Sequence, residues 1–433
     1  MTYRNRRSFV TSAAAVGTLG LAGCLSGVPE WRHVADDQES PPPTLDPGAT
    51  DGSDDSSETE ATLDLPGETI DSFEDLGGWV SMIDAGDLEA ATDDTYAGSQ
   101  SARLTADADT EYAAVYRTLP DGLDLTETNL SLAVSFTGRE QLHLTLELFA
   151  PNSSNVHAMD RTLVGPTDRW VRVDFGTGRV AGHPDLADVR EIRLTARRRG
   201  DHTGPIDCRF DDLRAVDRAG TGAVLLLFDA TLESHYDVAF EHLESYGFTG
   251  VEAVIPDAVG EGGRLSVDQL GELTDAGWDV AARPRTGTQS LPEFTPERQE
   301  GAIERTNAFL ESRGFADGTA HFVTPRNRLG PNTIDLVRDH HELAFRYGGA
   351  PNALPLTDPH NVGFFAAAAG ETTRTYVDHA AADGQLAVLH FEDIGGDGMA
   401  EDAFVDLLEY VEERDLEVVT ASELLADRSR GGS

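Results

Sequence analysis

Asp229 is the residue of this sequence whose surroundings best suit it for chemistry. It ends an apolar run, residues 224–228, and the segment after it has apolar residues every three or four positions. This pattern predicts a buried strand, a loop and then a helix. In folds that alternate strand and helix, ligands and catalytic groups lie at the carboxyl ends of the strands. Asp229 is therefore a candidate acid–base residue, although its neighbour Ala230 supplies no second carboxylate.

The elements that would position Asp229 alternate between strand and helix from residue 219 to residue 427. Intervening segments such as SVDQLGELTDAG and AEDAFVDLLEYVEER have helical spacing. Repeated strand–helix units predict a parallel sheet or barrel, and seven candidate strands favour a distorted but closed (β/α)7 barrel. The seven strands are AVLLLF, GVEAVIP, WDVAA, TAHFV, LAFRYG, LAVLHF and LEVVTA.

Residues 65–217 have a different period. Segments such as LSLAVSFTG, LHLTLELFA, WVRVDFG, EIRLTARR and IDCRFDDLRAV alternate apolar and polar residues in steps of two, and turn signals separate them. This pattern predicts two packed antiparallel sheets, a β-sandwich of the jelly-roll type. The chain is therefore expected to be multidomain, with the β-sandwich followed by the α/β barrel.

Residues 1–24 have the features of an export signal. Arg6 and Arg7 precede a short apolar segment rich in small residues, which ends in LAGC. The arginine pair resembles a twin-arginine (Tat) signal and LAGC resembles a lipobox, which implies that Cys24 carries a lipid. We therefore expect a lipoprotein on the extracellular face of the cell membrane. The alternative is ordinary signal cleavage, with Cys24 incidental.

The segments that flank the two predicted domains are polar. Residues 25–64 are rich in Asp, Glu, Ser, Pro and Gly, and too few apolar residues are present to offset the entropy of ordering them. We expect this segment to be a disordered acidic linker between membrane and folded domains. Residues 428–433 are assigned to a terminal tail.

The charge of the chain excludes one class of partner. The sequence has 77 acidic residues against 33 basic ones, all of them arginine, and a formal net charge of −44. Such a surface repels nucleic acid, so no nucleic-acid partner is expected. Because salt screens the self-repulsion, we infer adaptation to high salt, as in halophilic proteins.

Three motifs of the predicted sandwich, SFEDLGGW, GSQSARL and RFDDLRAV, resemble carbohydrate-binding jelly-roll modules. The resemblance implies a structural calcium at the first and last strands, with Glu74, Asp211 and Asp212 as oxygen donors. The alternative is a solvated acidic strand end. Trp79 and Tyr112 are candidates for stacking on sugar rings, although core positions are equally compatible with the sequence, and we expect no exposed role for Trp170, which is assigned to the core.

In the second half, Asp229, the GWDVAARP segment and the late LAVLHF strand occur in an order that resembles the polysaccharide deacetylase family, or NodB-homology domain. The resemblance covers nearly all of residues 219–427. It implies a hydrolase of carbon–nitrogen bonds that removes N-acetyl groups from sugar polymers with a divalent metal held by one Asp and two His. In such a site the metal polarises the acetyl carbonyl and its water, a base takes the water's proton, and an acid protonates the leaving amine.

The resemblance assigns Asp229 as general base and His390 as general acid, but other residues stand at the metal-ligand positions. Ala230 replaces the metal-binding Asp, and Arg283 and Gly287 match the two His. Alanine and glycine have no side-chain donor, and arginine has no lone pair to offer a metal. The sequence therefore predicts that this triad of ligands is lost.

Two functions remain open on this evidence. In the favoured one, the barrel is a degenerate enzyme whose groove still binds a polysaccharide or cell-envelope glycan, and the sandwich adds a second contact. Arg283 then replaces the charge of the metal and holds Asp229 ionised, while Pro325, kept from the third family motif, lines a rebuilt groove wall.

In the enzymatic alternative, Asp229 and His390 remain base and acid, and N-acetyl hydrolysis continues at a replacement divalent-metal site. For each histidine considered, the competing interpretation is a satisfied surface or core imidazole. The candidate replacement ligands are His235, His321, His360, Glu392 and Asp393.

Overall fold

The structure is a computed structural model that describes residues 65–138, 141–199, 204–396 and 398–431. All of these residues belong to one compact unit of the chain. The export signal with Cys24 and the acidic segment up to residue 64 lie outside the described residues, so the predictions made for them remain predictions. Within the described ranges, no helix has both the length and the apolar character needed to span a membrane.

The first half of the described chain contains eleven β-strands. Their side chains follow the period-two pattern: along residues 141–148, half-buried and fully buried positions alternate. The strands are β1 (Glu68–Asp71), β2 (Trp79–Ser81), β3 (Asp87–Ala91), β4 (Ser101–Ala106), β5 (Tyr112–Leu123), β6 (Thr128–Phe136), β7 (Gln141–Phe149), β8 (Val156–Val164), β9 (Val171–Ala181), β10 (Val189–Arg198) and β11 (Ile206–Asp217).

These strands build two antiparallel sheets that share β9. The first sheet has the order β3-β4-β11-β6-β9, with β1 beside β11, and the second has the order β2-β5-β10-β7-β8-β9. Residues 171–175 of β9 pair with β6 and residues 176–181 pair with β8, so β9 passes from one sheet to the other. Apolar side chains such as Leu132, Leu146 and Phe210 fill the space between the sheets. The predicted β-sandwich is confirmed.

The second half of the described chain contains nine further strands. Most are short and buried on both faces, as expected for parallel strands covered by helices. They are β12 (Gly222–Asp229), β13 (Val251–Val254), β14 (Asp279–Ala282), β15 (His321–Val323), β16 (Leu343–Tyr347), β17 (Asn352–Ala353), β18 (Val362–Ala366), β19 (Gln385–Phe391) and β20 (Leu416–Val418).

Seven of these strands close into a parallel barrel, which confirms the predicted architecture. The order is β12-β13-β14-β15-β16-β18-β19, and β19 pairs back to β12. Leu225 and Leu227 of β12 belong to the apolar cluster inside the barrel, whereas Leu226 and Phe228 pack in the cluster under the helices. Because side chains alternate along a strand, the side chain of Asp229 points into the barrel, like those of Leu225 and Leu227.

The strands of the ring differ from the expected set at one place. The barrel includes β18, which the sequence analysis did not identify, whereas the LEVVTA segment forms β20, which pairs with β12 beside the ring. The error has a physical cause. The connection from β16 to β18, residues 348–361, contains no α-helix, so the strand–helix alternation is interrupted there.

Seven α-helices accompany the described strands. A π-helical turn, His235–Phe240, leads into the first of them. The helices are α1 (Glu241–Tyr246), α2 (Val267–Asp275), α3 (Pro296–Arg313), α4 (Pro331–His340), α5 (Glu371–Asp383), α6 (Glu401–Glu412) and α7 (Ala421–Gly431).

The sandwich packs on the barrel along the β16–β18 connection. The backbone N–H of Thr162 on β8 donates to the carbonyl of Gly348 at 2.8 Å. Further along the same connection, Thr357 donates through Oγ1 to Asp174 of β9 at 2.5 Å. The sandwich therefore covers the side of the barrel that a helix covers elsewhere in the ring.

Candidate functional site

Asp229, Arg283 and His390 meet at the carboxyl end of the barrel. Each lies two residues after an apolar side chain of the barrel interior, so all three point inward. Nε of Arg283 forms an ion pair with Oδ1 of Asp229. Nε2 of His390 lies 3.3 Å from Oδ2 of Asp229, and the Ala230 backbone N–H donates to Oδ1 at 2.6 Å. The pairing of Asp229 with Arg283 matches the sequence-based expectation.

The electrostatic surroundings keep Asp229 ionised. Burial acts to raise the pKa of Asp229, but the Arg283 guanidinium, the His390 contact and the Ala230 N–H together lower it below its ordinary value. Side-chain exposure is 10% for Asp229, 16% for Arg283 and 8% for His390. A lowered pKa means that this carboxylate binds a proton more weakly than an ordinary aspartate does.

Aromatic rings fix the position of His390. The Phe364 ring of β18 stacks on the imidazole with centres 4.3 Å apart and planes 9° apart. Tyr347, at the end of β16, meets Phe364 edge-on at 6.4 Å. The Arg199 guanidinium of the sandwich lies 4.4 Å from the centre of the Tyr347 ring. A chain of contacts therefore joins the sandwich to the carboxyl end of the barrel.

The positions that match the family's metal ligands do not fit a divalent metal. Ala230 offers no donor, and its φ of +83° is followed by +57° at Thr231, so the loop after β12 is wound in the left-handed region. Arg283 brings a positive charge to the place of one ligand. Gly287, at φ +62°, uses its carbonyl to accept two N–H groups of Arg326. These three positions therefore cannot bind a catalytic metal ion.

The proposed replacement ligands are not brought together. His321 lies at the opposite, amino end of the barrel, and His360 contacts a backbone carbonyl at 2.8 Å beside the sandwich. Asp393 accepts a hydrogen bond from Ser234 at 2.8 Å, and Glu392 is exposed. Within the described part of the chain, no group of three or more His, Cys, Asp or Glu is placed to hold a metal ion. His321 and His360, candidates of the enzymatic alternative, therefore lie away from Asp229 and His390.

His235 is held in a buried pair that the sequence analysis missed. Its Nδ1 lies 2.8 Å from Oε2 of Glu252, and its Nε2 lies 2.7 Å from the carbonyl of Glu392. Burial acts to lower the pKa of His235, but the Glu252 carboxylate outweighs it and raises that pKa. Glu252 faces outward from β13, under the helices, so this pair is structural. A glutamate inside the apolar run GVEAVIP was the signal that would have revealed it.

Pro325 lies at the barrel end where the resemblance predicts a groove wall. It follows β15 by two residues and is buried. Arg326 and Asn327 after it have φ values of +54° and +59°, so the chain turns sharply and sends Arg326 toward Gly287. The structure places Pro325 at the rim, and its role in binding remains a prediction.

The three carboxylates proposed for calcium in the sandwich bind protein donors instead. Glu74 accepts from the N–H and hydroxyl of Ser99 at 2.8 and 2.6 Å. Asp211 accepts from the Tyr96 N–H at 2.8 Å, and burial raises the pKa of Asp211 to about 6. Asp212 forms ion pairs with two arginines. Asp212 does not fit a calcium ion, because two guanidiniums already compensate its charge, whereas calcium binding by Glu74 and Asp211 stays a prediction.

The aromatic candidates of the sandwich have different positions. Trp79 is 6% exposed and packs in the core, so it is not a sugar platform. Trp170, expected in the core, is half-buried and donates from Nε1 to Asp94 at 2.8 Å, because an indole N–H near the surface finds an acceptor there. Tyr112 is half-buried at the end of β5, with the Arg197 guanidinium 5.1 Å from its ring centre.

The outer face of the second sheet carries a polar depression of about 190 Å³. Thr145 Oγ1 donates to Asp160 at 2.8 Å, and His143 lies 3.4 Å from the same carboxylate. These side chains come from neighbouring strands in register. The lining residues are His143, Thr145, Glu147, Ala158, Asp160, Arg179, Thr195 and Arg197. A larger depression, of about 610 Å³, lies on the first sheet around Arg103 and Asp207.

No family model and no curated protein matches the sequence. Solved structures resemble it in part. The chain is similar to the Xyl-CE4 domain of a multidomain xylanase from the hindgut metagenome of Trinervitermes trinervoides (16% identity, TM-score 0.36, 48% of this chain and 92% of that one). It is also similar to the peptidoglycan deacetylase PdaC from Bacillus subtilis (12%, 0.35, 49% and 93%).

The chain is also similar to the family 11 carbohydrate-binding module of the cellulase Lic26A-Cel5E from Clostridium thermocellum. That similarity has 15% identity and a TM-score of 0.27, and covers 35% of this chain and 95% of that one. At TM-scores of 0.36 or less, these similarities are too distant to assign a function.

Proposed function

We propose that this protein is a cell-surface glycan-binding protein related to polysaccharide deacetylases, in which metal-assisted deacetylation has been lost. The main supporting observation is the environment of Asp229, whose negative charge is compensated by Arg283 and whose side chain is buried inside the barrel. A catalytic base must accept a proton from water, and the Arg283 guanidinium lowers the pKa of this carboxylate and so weakens it as a base.

The outer face of the second sheet supports the binding function. Two carboxylates, an imidazole, two hydroxyls and two guanidiniums line one depression, so both donors and acceptors are present. Sugar hydroxyl groups need this mixture, because each one donates and accepts. The depression also lies on the sheet whose strand β8 bonds to Gly348 at the carboxyl end of β16. A long glycan on this face would therefore run toward the Tyr347 end of the barrel.

Binding to insoluble polysaccharides tests this proposal. We would measure co-sedimentation of the protein with N-acetylated chitin, acetylated xylan and cell-envelope polymer in molar salt with a chelator. We expect binding that the chelator does not change. Asp160→Ala, which removes the acceptor at the centre of the depression, should weaken binding at least about tenfold, since buried polar partners are left unpaired.

The control is Arg103→Ala, on the first sheet. Arg103 lines the larger depression, so this variant removes a paired guanidinium from the competing surface. If Arg103→Ala abolished binding and Asp160→Ala did not, the glycan site would be on the first sheet. No binding to any of the polymers would reject the proposed function.

Hydrolysis remains the second candidate, because one observation favours it. His390 and Asp229 keep a 3.3 Å contact, and two consecutive left-handed residues follow Asp229. Backbone strain of this kind is concentrated at functional sites. Acetate release from the same polymers, abolished in His390→Ala, would establish this activity, and its insensitivity to chelators would separate it from a metal-dependent reaction.

Attachment to the outer face of the membrane through Cys24 is part of the same proposal. Cys24→Ser should release the protein or leave it unprocessed, because the lipid supplies the membrane affinity. Exchange of Arg6 and Arg7 for lysine should block export if the route depends on the arginine pair. Membrane association unchanged in Cys24→Ser would reject the anchor, and normal export of the lysine variant would reject the route.

A further inference from the structure

Two buried arginine side chains occupy adjoining positions where the sandwich meets the barrel. Arg161 of β8 is 0% exposed and Arg346 of β16 is 1% exposed. Arg346 pairs in register with Gly363 of β18, and Nη1 of Arg161 lies where a β-carbon of Gly363 would be. Residues in register on neighbouring strands project from the same face about 5 Å apart. The two arginine side chains are therefore neighbours on the outer face of the barrel.

The hydrogen-bond partners of both groups are neutral. Arg161 donates from Nη1 to Asn352 Oδ1 at 2.7 Å and from Nη2 to the Asn361 carbonyl. Arg346 donates from Nη2 to the Gly165 carbonyl. Three further buried donors, Nε of Arg161 and both Nε and Nη1 of Arg346, have no acceptor among the described residues. Donors buried in this way are costly unless an acceptor meets them.

The nearby carboxylates do not neutralise this pair. Asp174 and Asp358 are the carboxylates whose charge acts on these arginines, yet neither forms an ion pair within 4 Å of them among the described residues. Asp174 is bound by Thr357, and Asp358 accepts N–H groups of other residues. Burial lowers the pKa of Arg161 to about 10 and that of Arg346 to about 9, so both remain charged at neutral pH.

We propose that a small monovalent anion, chloride in a saline medium, binds between Arg161 and Arg346 and ties the sandwich to the barrel. A buried pair of like charges needs a counter-charge, and an anion can accept several N–H groups at once. Both side chains are at most 1% exposed, so a single-atom ion suits the site better than phosphate. A β-carbon on Gly348 would meet Arg161 Nη1 at 2.7 Å, so the backbone packs directly on the guanidinium.

Bromide locates the site directly, because it replaces chloride and scatters X-rays anomalously. Crystals of the full chain grown in sodium bromide should show an anomalous peak within hydrogen-bond distance of both guanidiniums. A water molecule there, or peaks at surface positions only, would overturn the proposal. This measurement does not depend on any variant being able to fold.

Thermal unfolding tests whether the site is filled in solution. At equal sodium concentration and ionic strength, the melting temperature should be about 3 °C higher in chloride than in methanesulfonate, which is too large to enter the site. Arg346→Met should remove this difference. Equal melting temperatures of the wild-type protein in both salts would show an adventitious ion only and would reject the site.

Arg169→Met is the matched control. Arg169 also joins the sandwich to the barrel, but its partner is the Asp335 carboxylate at 2.9 Å. This variant should keep the full chloride effect. If Arg169→Met and Arg346→Met lose the effect equally, the anion acts on surface charge in general, and the proposal is wrong.

Discussion

Two carboxylate–arginine clusters in this protein have different surroundings. In the sandwich, Asp212 forms ion pairs with Arg172 at 2.8 Å and Arg214 at 3.2 Å. It also accepts a hydrogen bond from the Thr69 hydroxyl at 2.6 Å. At the barrel end, Asp229 has one guanidinium, one imidazole and one N–H. The first cluster is closed by packing against the barrel, and the second faces the barrel end where a substrate would enter.

Exposure separates the two clusters further. The side chains of Asp212 and Arg172 are 5% and 2% exposed, against 10% and 16% for Asp229 and Arg283. The Asp212 cluster is therefore more fully enclosed than the Asp229 cluster. The sequence analysis assigned Asp212 to a calcium site and Asp229 to the general base beside a lost metal site, and in both clusters arginine supplies the positive charge.

The largest expected effect follows from removing the carboxylate of the closed cluster. Asp212→Ala leaves the buried Arg172 uncompensated, so the free energy of unfolding should fall by about 4–5 kcal/mol. Denaturant titration in molar salt measures it. Asp335→Ala, which breaks an exposed ion pair, is the control and should cost less than about 1 kcal/mol. Equal losses in the two variants would remove the distinction between closed and open clusters.

Removing the carboxylate of the Asp229 cluster should lower the free energy of unfolding by a smaller amount. Asp229→Ala leaves Arg283 without its partner, but this guanidinium reaches solvent, so the loss should be about 3 kcal/mol. Adding Arg283→Met should recover much of it, because no unpaired charge then remains. An unchanged stability in Asp229→Ala, together with lost acetate release, would instead identify Asp229 as a catalytic base.

The two clusters and a buried histidine, His341, should lose their contributions to stability at different pH values. Burial lowers the pKa of His341 to about 4, against about 6.5 in the unfolded chain. The depressed pKa means that this stability is complete above pH 6.5 and declines as pH falls toward 4, by about 2–3 kcal/mol in total. The pKa values of Asp212 and Asp229 are also lowered, so their contributions are lost only below about pH 4.

Unfolding titrations between pH 7 and pH 4 measure the histidine contribution. His341→Gln should flatten the slope above pH 4, and His340→Gln, on the less buried neighbour, should not. A slope that is the same in His341→Gln and in the wild-type protein would show that other groups cause it.

The smallest expected effect concerns calcium. Because Glu74, Asp211 and Asp212 already accept hydrogen bonds and ion pairs, calcium should raise the melting temperature no more than magnesium does at equal ionic strength. Isothermal titration calorimetry checks the same point. Heat with one-to-one stoichiometry for calcium alone would restore the calcium site and require these carboxylates to leave their present partners.

Local pattern predicted the two architectures, and its failures have physical causes. Period two and strand–helix alternation identified the sandwich and the barrel because each element must bury one face. The pattern missed β18, because the connection before it is covered by the sandwich and not by a helix of its own. It missed the His235–Glu252 pair, because the two residues are 17 positions apart and local periodicity does not show which distant residue compensates a buried charge.

The chain by itself determined which chemistry is absent from the barrel end. Alanine, arginine and glycine at positions 230, 283 and 287 lack metal donors in any fold, because donor ability belongs to the side chain. Tertiary structure alone decided that His321 and His360 lie away from Asp229 and that Asp212 is enclosed by arginines. These outcomes depend on which strand ends meet in space, and sequence spacing does not carry that information.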